Sequence, residues 1–226
     1  MIKSGKKIFK MLGSTDPKVI GCKDGSSLVM SSSPLSENFK KRNPYSEFRI
    51  TEPFLDSFSL LDKYKVIDCF THSSYRSEFV ISEKMKGILL NFNLYSTQLI
   101  PSVVYSQKEA LKDYYFLHCY SYLLDKFDYG KIKFSRIWPY PREVEEKYFD
   151  MDEKKLLSEC KEIAGRMVYI EPDNGYQFKG FDYTAYDLFR IGELDEYIYV
   201  SERLKNDLVD AKISGIEFVE SDLFRV

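Results

Sequence analysis

The sequence predicts an α+β fold: a mixed, mostly antiparallel sheet with a few helices, containing an internal strand-helix-strand duplication. Three observations lead there. Residues 79–100 (FVISEKMKGILLNFNLYSTQLI) and 198–219 (IYVSERLKNDLVDAKISGIEFV) align at a constant offset without a gap, and each copy reads as strand, helix, strand. Elsewhere short apolar runs rich in aromatic and β-branched residues alternate with turn signals, while one stretch of strong helix formers stands apart. No low-complexity linker separates the halves, so a single domain over 1–226 is expected, with repeat units at 79–101 and 198–220.

In chain order, residues 6–12 and 18–22 read as short strands, with Thr15-Asp16-Pro17 turning between them and Asp24-Gly25-Ser26 as a further turn. Serine, proline and charge from Ser31 to Ser46 indicate an irregular loop. Residues 54–61 fit a strand or a helical turn, and 65–70 fit a strand. The first repeat opens with Phe79-Val80-Ile81 and then Ser82, whose side-chain oxygen can accept from the unpaired N–H groups of a first helical turn. Glu83 follows at the positive end of the helix dipole. Met85, Ile88, Leu89 and Phe92 make one apolar stripe, and Gln98-Leu99-Ile100 returns as a strand that 101–106 extends. The second copy repeats this with Ile198-Tyr199-Val200, Ser201, Glu202 and Glu217-Phe218-Val219, although Asp207 weakens its stripe of Leu204, Leu208 and Ala211. Met85 and Leu204 occupy the place a capping-box glutamate would take, so neither copy has that motif.

Between the copies, Asp113–Leu124 is close to continuously apolar and aromatic, as a central buried strand would be. Lys131–Trp138 alternates like a strand with one wet face, and Pro139 and Pro141 break it. Residues 142–164 read as a helix, with Met151, Leu156, Leu157, Cys160 and Ile163 along its buried side and Gly165 stopping it. Residues 167–170 form a strand, and Pro172-Asp173-Asn174-Gly175 signals a hairpin.

Composition narrows the function classes. A chain of 226 residues buries a sizeable core. A net charge of −2 supplies no basic field for nucleic acid, so none is expected as a partner. Cys22, Cys69, Cys119 and Cys160 are widely spaced, with only His72 and His118 to join them, so neither a zinc site nor a disulfide framework is expected. The N-terminal stretch lacks the apolar core of a signal peptide, and no run reaches the roughly 18 apolar residues of a membrane span. A cytoplasmic protein without membrane contact is expected.

Catalytic signatures are missing: no phosphate-binding GxxxxGK[ST] or GxGxxG, no GxSxG and no HExxH. A general base would have to be His72, His118 or a carboxylate. His118 lies in an aromatic strand and reads as a core histidine, while His72 in Thr-His-Ser-Ser could pair with Ser73 or Ser74. The charged residues of each S-E-[KR] stretch read as a solvated first turn rather than as a catalytic cluster. No catalytic residue, cofactor or metal is expected.

Two stretches could bind a partner. The first gathers Glu143, Glu145, Glu146, Asp150, Asp152 and Glu153; the second interleaves Tyr176, Phe178, Phe181, Tyr183 and Tyr186 with Asp173, Asp182 and Asp187. Acidic charge speeds association with a basic partner, and aromatic anchors hold it. The alternatives are a solvated helix face for the first and a packed hairpin for the second.

A strand ending in V-S-E-[KR]-hydrophobic-K, then an amphipathic helix, a small turn and an E-F-type strand, resembles a bacterial immunity-protein family of polymorphic toxin systems, immunity family eleven, related to family forty-three. VSERLKNDLVDAKISGIEF carries the closest likeness, with Leu188-Phe189-Arg190 and 194–200 leading into it; the middle copy fits more loosely and residues 1–60 weakly, so about two thirds of the chain is covered. The resemblance implies a non-enzymatic cytoplasmic protein that binds and neutralises a cognate toxin domain encoded by a neighbouring gene, a nuclease being one such class. The alternative expectation is a small hydrolase-like enzyme using His72 or paired carboxylates.

Overall fold

In the computed structural model the described residues are 6–20, 29–30, 57–60, 65–72, 75–106, 109–139, 142–148, 151–163, 168–192 and 194–224. In chain order they form β1 (Ile8–Gly13), α1 (Pro17–Ile20), β2 (Val29–Met30), β3 (Ser57–Leu60), β4 (Cys69–His72), β5 (Tyr75–Ser82), α2 (Glu83–Leu89), β6 (Thr97–Ser106) and β7 (Glu109–Cys119). They continue with β8 (Phe134–Pro139), β9 (Arg142–Tyr148), α3 (Glu153–Ile163), β10 (Tyr169–Pro172), β11 (Leu188–Gly192), β12 (Asp195–Ser201), α4 (Glu202–Asp210) and β13 (Ile216–Glu220). The fold is α+β, and every described strand pairing is antiparallel except that of β3 with β6.

Three sheets result, in the orders β2-β3-β6-β7-β5-β4, β11-β12-β1-β13 and β10-β8-β9. Strand alternation sends side chains to two faces, and that sorts the core. Phe79 and Ile81 of β5, with Ile198 and Val200 of β12, point into one shared cluster that also holds Met85, Leu89, Leu204, Leu208, Met11 and Leu117. Val80 of β5 points the other way, onto Ile20, Phe58, Phe70 and Phe116. Tyr199 of β12 likewise faces outward, onto a large aromatic cluster built with β8, β10, α3 and Phe224. The central cluster is therefore shared by β5 with α2 and by β12 with α4, while each sheet's outer face has its own cover.

The segments 79–100 and 198–219 share several local features. Ser82 and Ser201 both cap their helices, accepting from Met85 N and Leu204 N at 3.3 and 3.2 Å. Met85 and Leu89 of α2, and Leu204 and Leu208 of α4, are the buried positions. Lys86 lies over the Tyr115 ring at 3.8 Å, and Lys205 over the Phe9 ring at 4.4 Å.

Several expectations are corrected. Residues 17–20 are helical rather than part of a strand at 18–22, because Asp16 accepts from Lys18 N at 2.8 Å and Pro17 sits where a missing N–H costs nothing. Of the helix expected over 142–164, the described helical part is Glu153–Ile163; residues 142–148 instead pair with β8, placing Tyr148 opposite Phe134 in the core, and the stop expected at Gly165 lies outside the described residues. Burial of an aromatic pair outweighs the weak helix preference of glutamates and lysine. The buried side of α3 is as expected: Met151, Leu156 and Ile163 are buried, with Leu157 and Cys160 packed against them. Asn174-Gly175 turns the chain but makes no hairpin. Asn174 instead accepts from Lys133 N and donates to Lys131 O, and Gly175, at φ +79, lets the Leu223 carbonyl approach so closely that a Cβ would lie 2.6 Å from it. The long strand expected over 113–124 ends at Cys119, and those expected over 65–70 and 131–138 begin at Cys69 and Phe134. The loop expected over 31–46 lies outside the described residues.

Candidate functional site

The acidic stretch 143–153 is divided between β9 and the start of α3. Glu143, Glu145 and Glu146 stand on β9, with Glu143 opposite Trp138, Glu146 opposite Arg136, and Glu145 at a register shift between them. Their side chains, and all of Asp150, lie outside what is described. Asp152 caps α3, its Oδ1 accepting from Lys155 N at 2.7 Å. Glu153 accepts from the Tyr122 hydroxyl at 2.6 Å. Both carboxylates thus have local structural work, which lowers their value as partner contacts.

The aromatic stretch 173–187 divides by burial. Tyr176 is 2% exposed and Tyr183 8%, both inside the outer aromatic cluster, and Asp187 is 2% exposed. These three are corrected from partner contacts to interior residues. The Tyr176 hydroxyl donates to Asp195 Oδ2 at 3.1 Å, and the Tyr199 hydroxyl donates to the same oxygen. Burial pushes the Asp195 carboxyl above its ordinary value, and the tyrosine bonds offset only part of that. Asp187 accepts from Ser201 Oγ at 2.7 Å, Arg203 Nη2 at 2.5 Å and Asn93 N at 3.2 Å. Burial alone would raise it, but these donors prevail and hold it below its ordinary value. Asp68 does the same for the first repeat, accepting from Ser82 Oγ at 3.0 Å and from Ser214 N and Oγ at 3.0 and 2.8 Å.

Asp173 and Asp182 are exposed and Phe178, Phe181 and Tyr186 half-buried, and Tyr95, which the sequence did not single out, joins the last two. Tyr95 lies 5.1 Å from the Phe181 ring and 4.7 Å from the Tyr186 ring, while Phe181 and Tyr186 stack at 5.5 Å and 9°. All three rings are half-buried. Their segments are tied together: Tyr95 N donates to Leu188 O and Asp187 N to Asn93 O, each at 2.8 Å, and Asn93 Nδ2 donates to Ala185 O at 2.8 Å. Lys6 Nζ donates to Thr184 O at 2.6 Å, and Asp182 caps the short turn Tyr183–Ala185 by accepting from Thr184 N at 2.9 Å. The rings are therefore presented on an anchored edge, at little entropic cost to a partner. In the alignment of 79–100 with 198–219, Ser214 stands opposite Tyr95.

His118 is buried and stacked between Phe116 and Tyr120 at 6.0 and 5.7 Å, the core role expected of it. The His72 side chain, Ser73 and Ser74 lie outside the described residues. Among the described residues no three His, Cys, Asp or Glu side chains cluster as metal ligands. Nor does any described helix reach the length and apolarity needed to cross a membrane. Compared with known proteins, the chain matches no family model and no curated protein.

Proposed function

We propose that this chain is a non-enzymatic immunity protein that binds a cognate toxin domain, encoded by a neighbouring gene, and neutralises it in the cytoplasm through a tight complex. The observation that carries the reading is the S-E-[KR]-hydrophobic-K motif at 82–86 and 201–205, the part of the chain that resembles the immunity family. The surface of Tyr95, Phe181 and Tyr186 supports it, because half-exposed aromatics on a rigid edge are typical binding anchors. Asp173 and Asp182, both exposed, border that surface in sequence and would favour a basic partner such as a nuclease cleft.

The deciding experiment expresses the C-terminal domain of the adjacent gene's product in a naive bacterium, with and without this protein, and counts survivors. Restored growth supports the reading; a harmless neighbour, or killing that continues regardless, sinks it. Given rescue, the triple replacement of Tyr95, Phe181 and Tyr186 by alanine should weaken toxin binding by more than about tenfold, since anchor truncations cost roughly 2 kcal/mol or more. Binding unchanged in a folded triple variant would move the interface elsewhere.

A further inference from the structure

The four-stranded sheet β11-β12-β1-β13 and the β4-β5-β7-β6 part of the large sheet have the same strand order. In each, an antiparallel pair leads into a capped helix, the helix crosses to a strand two places away, and a middle strand fills the gap. The middle strands match residue for residue. Against the preceding strand, Tyr115, Phe116 and Leu117 pair with Ile81, Val80 and Phe79, while Phe9, Lys10 and Met11 pair with Val200, Tyr199 and Ile198. Against the following strand, Leu117, His118 and Cys119 pair with Leu99, Gln98 and Thr97, while Met11, Leu12 and Gly13 pair with Phe218, Glu217 and Ile216. Both neighbours independently equate β1 with β7.

The match continues past the strands. Ser96 and Gly215 both adopt positive φ, at 44° and 92°, and their carbonyls accept from Tyr120 N and Ser14 N, each at 2.9 Å. The capped serines also donate N–H to equivalent partners, Ser82 to Asp68 O and Ser201 to Asp187 O. Only the source of the middle strand differs: β7 follows β6 directly, whereas β1 is the first described strand of the chain.

We propose that residues 187–224 together with 6–14 form a circularly permuted equivalent of the module 68–120. The space between β12 and β13 is then a strand-acceptor groove, and its ligand is an extended segment with large apolar residues at alternate positions. In this chain Phe9 and Met11 of the N-terminal strand meet that requirement, both buried in the central cluster. The end of β13 lies beside the start of β1: Ser221 N donates to Ile8 O at 2.9 Å, so a short link would give β13 and β1 the direct order of β6 and β7.

The test rewires the full chain. Val226 is joined to Met1 through a short Gly/Ser linker, and the chain is opened between Thr15 and Asp16, giving the second module the order the first already has. The expected product is a monomer with the native circular-dichroism spectrum and a Tm within about 10 °C of the parent. A second permutant, joined identically but opened between Gln107 and Lys108, imposes the split order on the first module and should also fold. Folding of the second with collapse of the first overturns the proposal. Native-state hydrogen exchange on the unaltered chain decides independently of either permutant. Amides of β1 should exchange with those of β12 and β13, slowed at least about a thousandfold. Exchange of β1 at the rate of a fraying terminus would overturn the proposal.

Discussion

Asp68 and Asp187 show how one residue type at one place organises each half. Each carboxylate accepts from the serine that caps its helix, and each backbone carbonyl accepts that serine's N–H. Each also reaches across to the other half, Asp68 to Ser214 and Asp187 to Asn93. Replacing Asp187 with asparagine should therefore cost about 1.5–3 kcal/mol at pH 7, the usual worth of a buried charge-assisted hydrogen bond, measured by urea unfolding. Because the native carboxyl lies below its ordinary value of 3.8, its contribution is present above that value and is lost as pH falls through the native one. The deficit of Asp187→Asn should accordingly shrink in strong acid. Asp195 runs the opposite way: burial raises it, so its contribution is full below 3.8 and declines as pH rises through the native value. Asp195→Asn should gain on the parent between pH 4 and pH 7, and a flat difference over that range would refute the assignment. Extending the repeat alignment upstream pairs Asp68 with Asp187, so this pair was legible. Their reach across the molecule was not, since no local pattern encodes a contact between residues so far apart in the chain.

Among the elements, helix ends were readable and strand partners were not. Ser82 and Ser201 announced their caps because the hydrogen bond spans three residues. Asp152 is an equivalent cap hidden within an acidic run, and Asp152→Ala should cost about 1 kcal/mol by loss of its bond to Lys155 N. The loops after α2 and α4 make a sharper test. Gly215 needs its positive φ, and a Cβ there would run into the Cys69 carbonyl, so Gly215→Ser should destabilise by roughly 1–3 kcal/mol. Ser96 holds positive φ with a side chain, so Ser96→Gly should be neutral or stabilising in the same thermal melt. Strand β9 was misread because REVEEKY has helix-forming composition, while as a strand it sets Tyr148 opposite Phe134, and the Tyr148 hydroxyl donates to Glu159 of α3 at 2.8 Å.

At the scale of the molecule, one cluster binds both halves: Met85 and Leu89 meet Leu204 and Leu208 between the two sheets. Leu89→Ala and Leu208→Ala should each lower stability by about 2–5 kcal/mol and shift a single shared unfolding transition. Two separable transitions in calorimetry would show that the halves do not share a core. Patterning by itself determined the α+β class, the two capped helices and their buried faces, because strand alternation, helix period and serine caps all act within a few residues. It also drew attention to Phe181, Asp182 and Tyr186, but it could not separate them from Tyr176, Tyr183 and Asp187, which have the same composition and lie in the interior. Only the tertiary structure decided that burial, the recruitment of Tyr95, and the seating of the first strand between β12 and β13. Each depends on which surfaces meet at long range, and periodicity reports only that a residue has an inward face, not what lies against it.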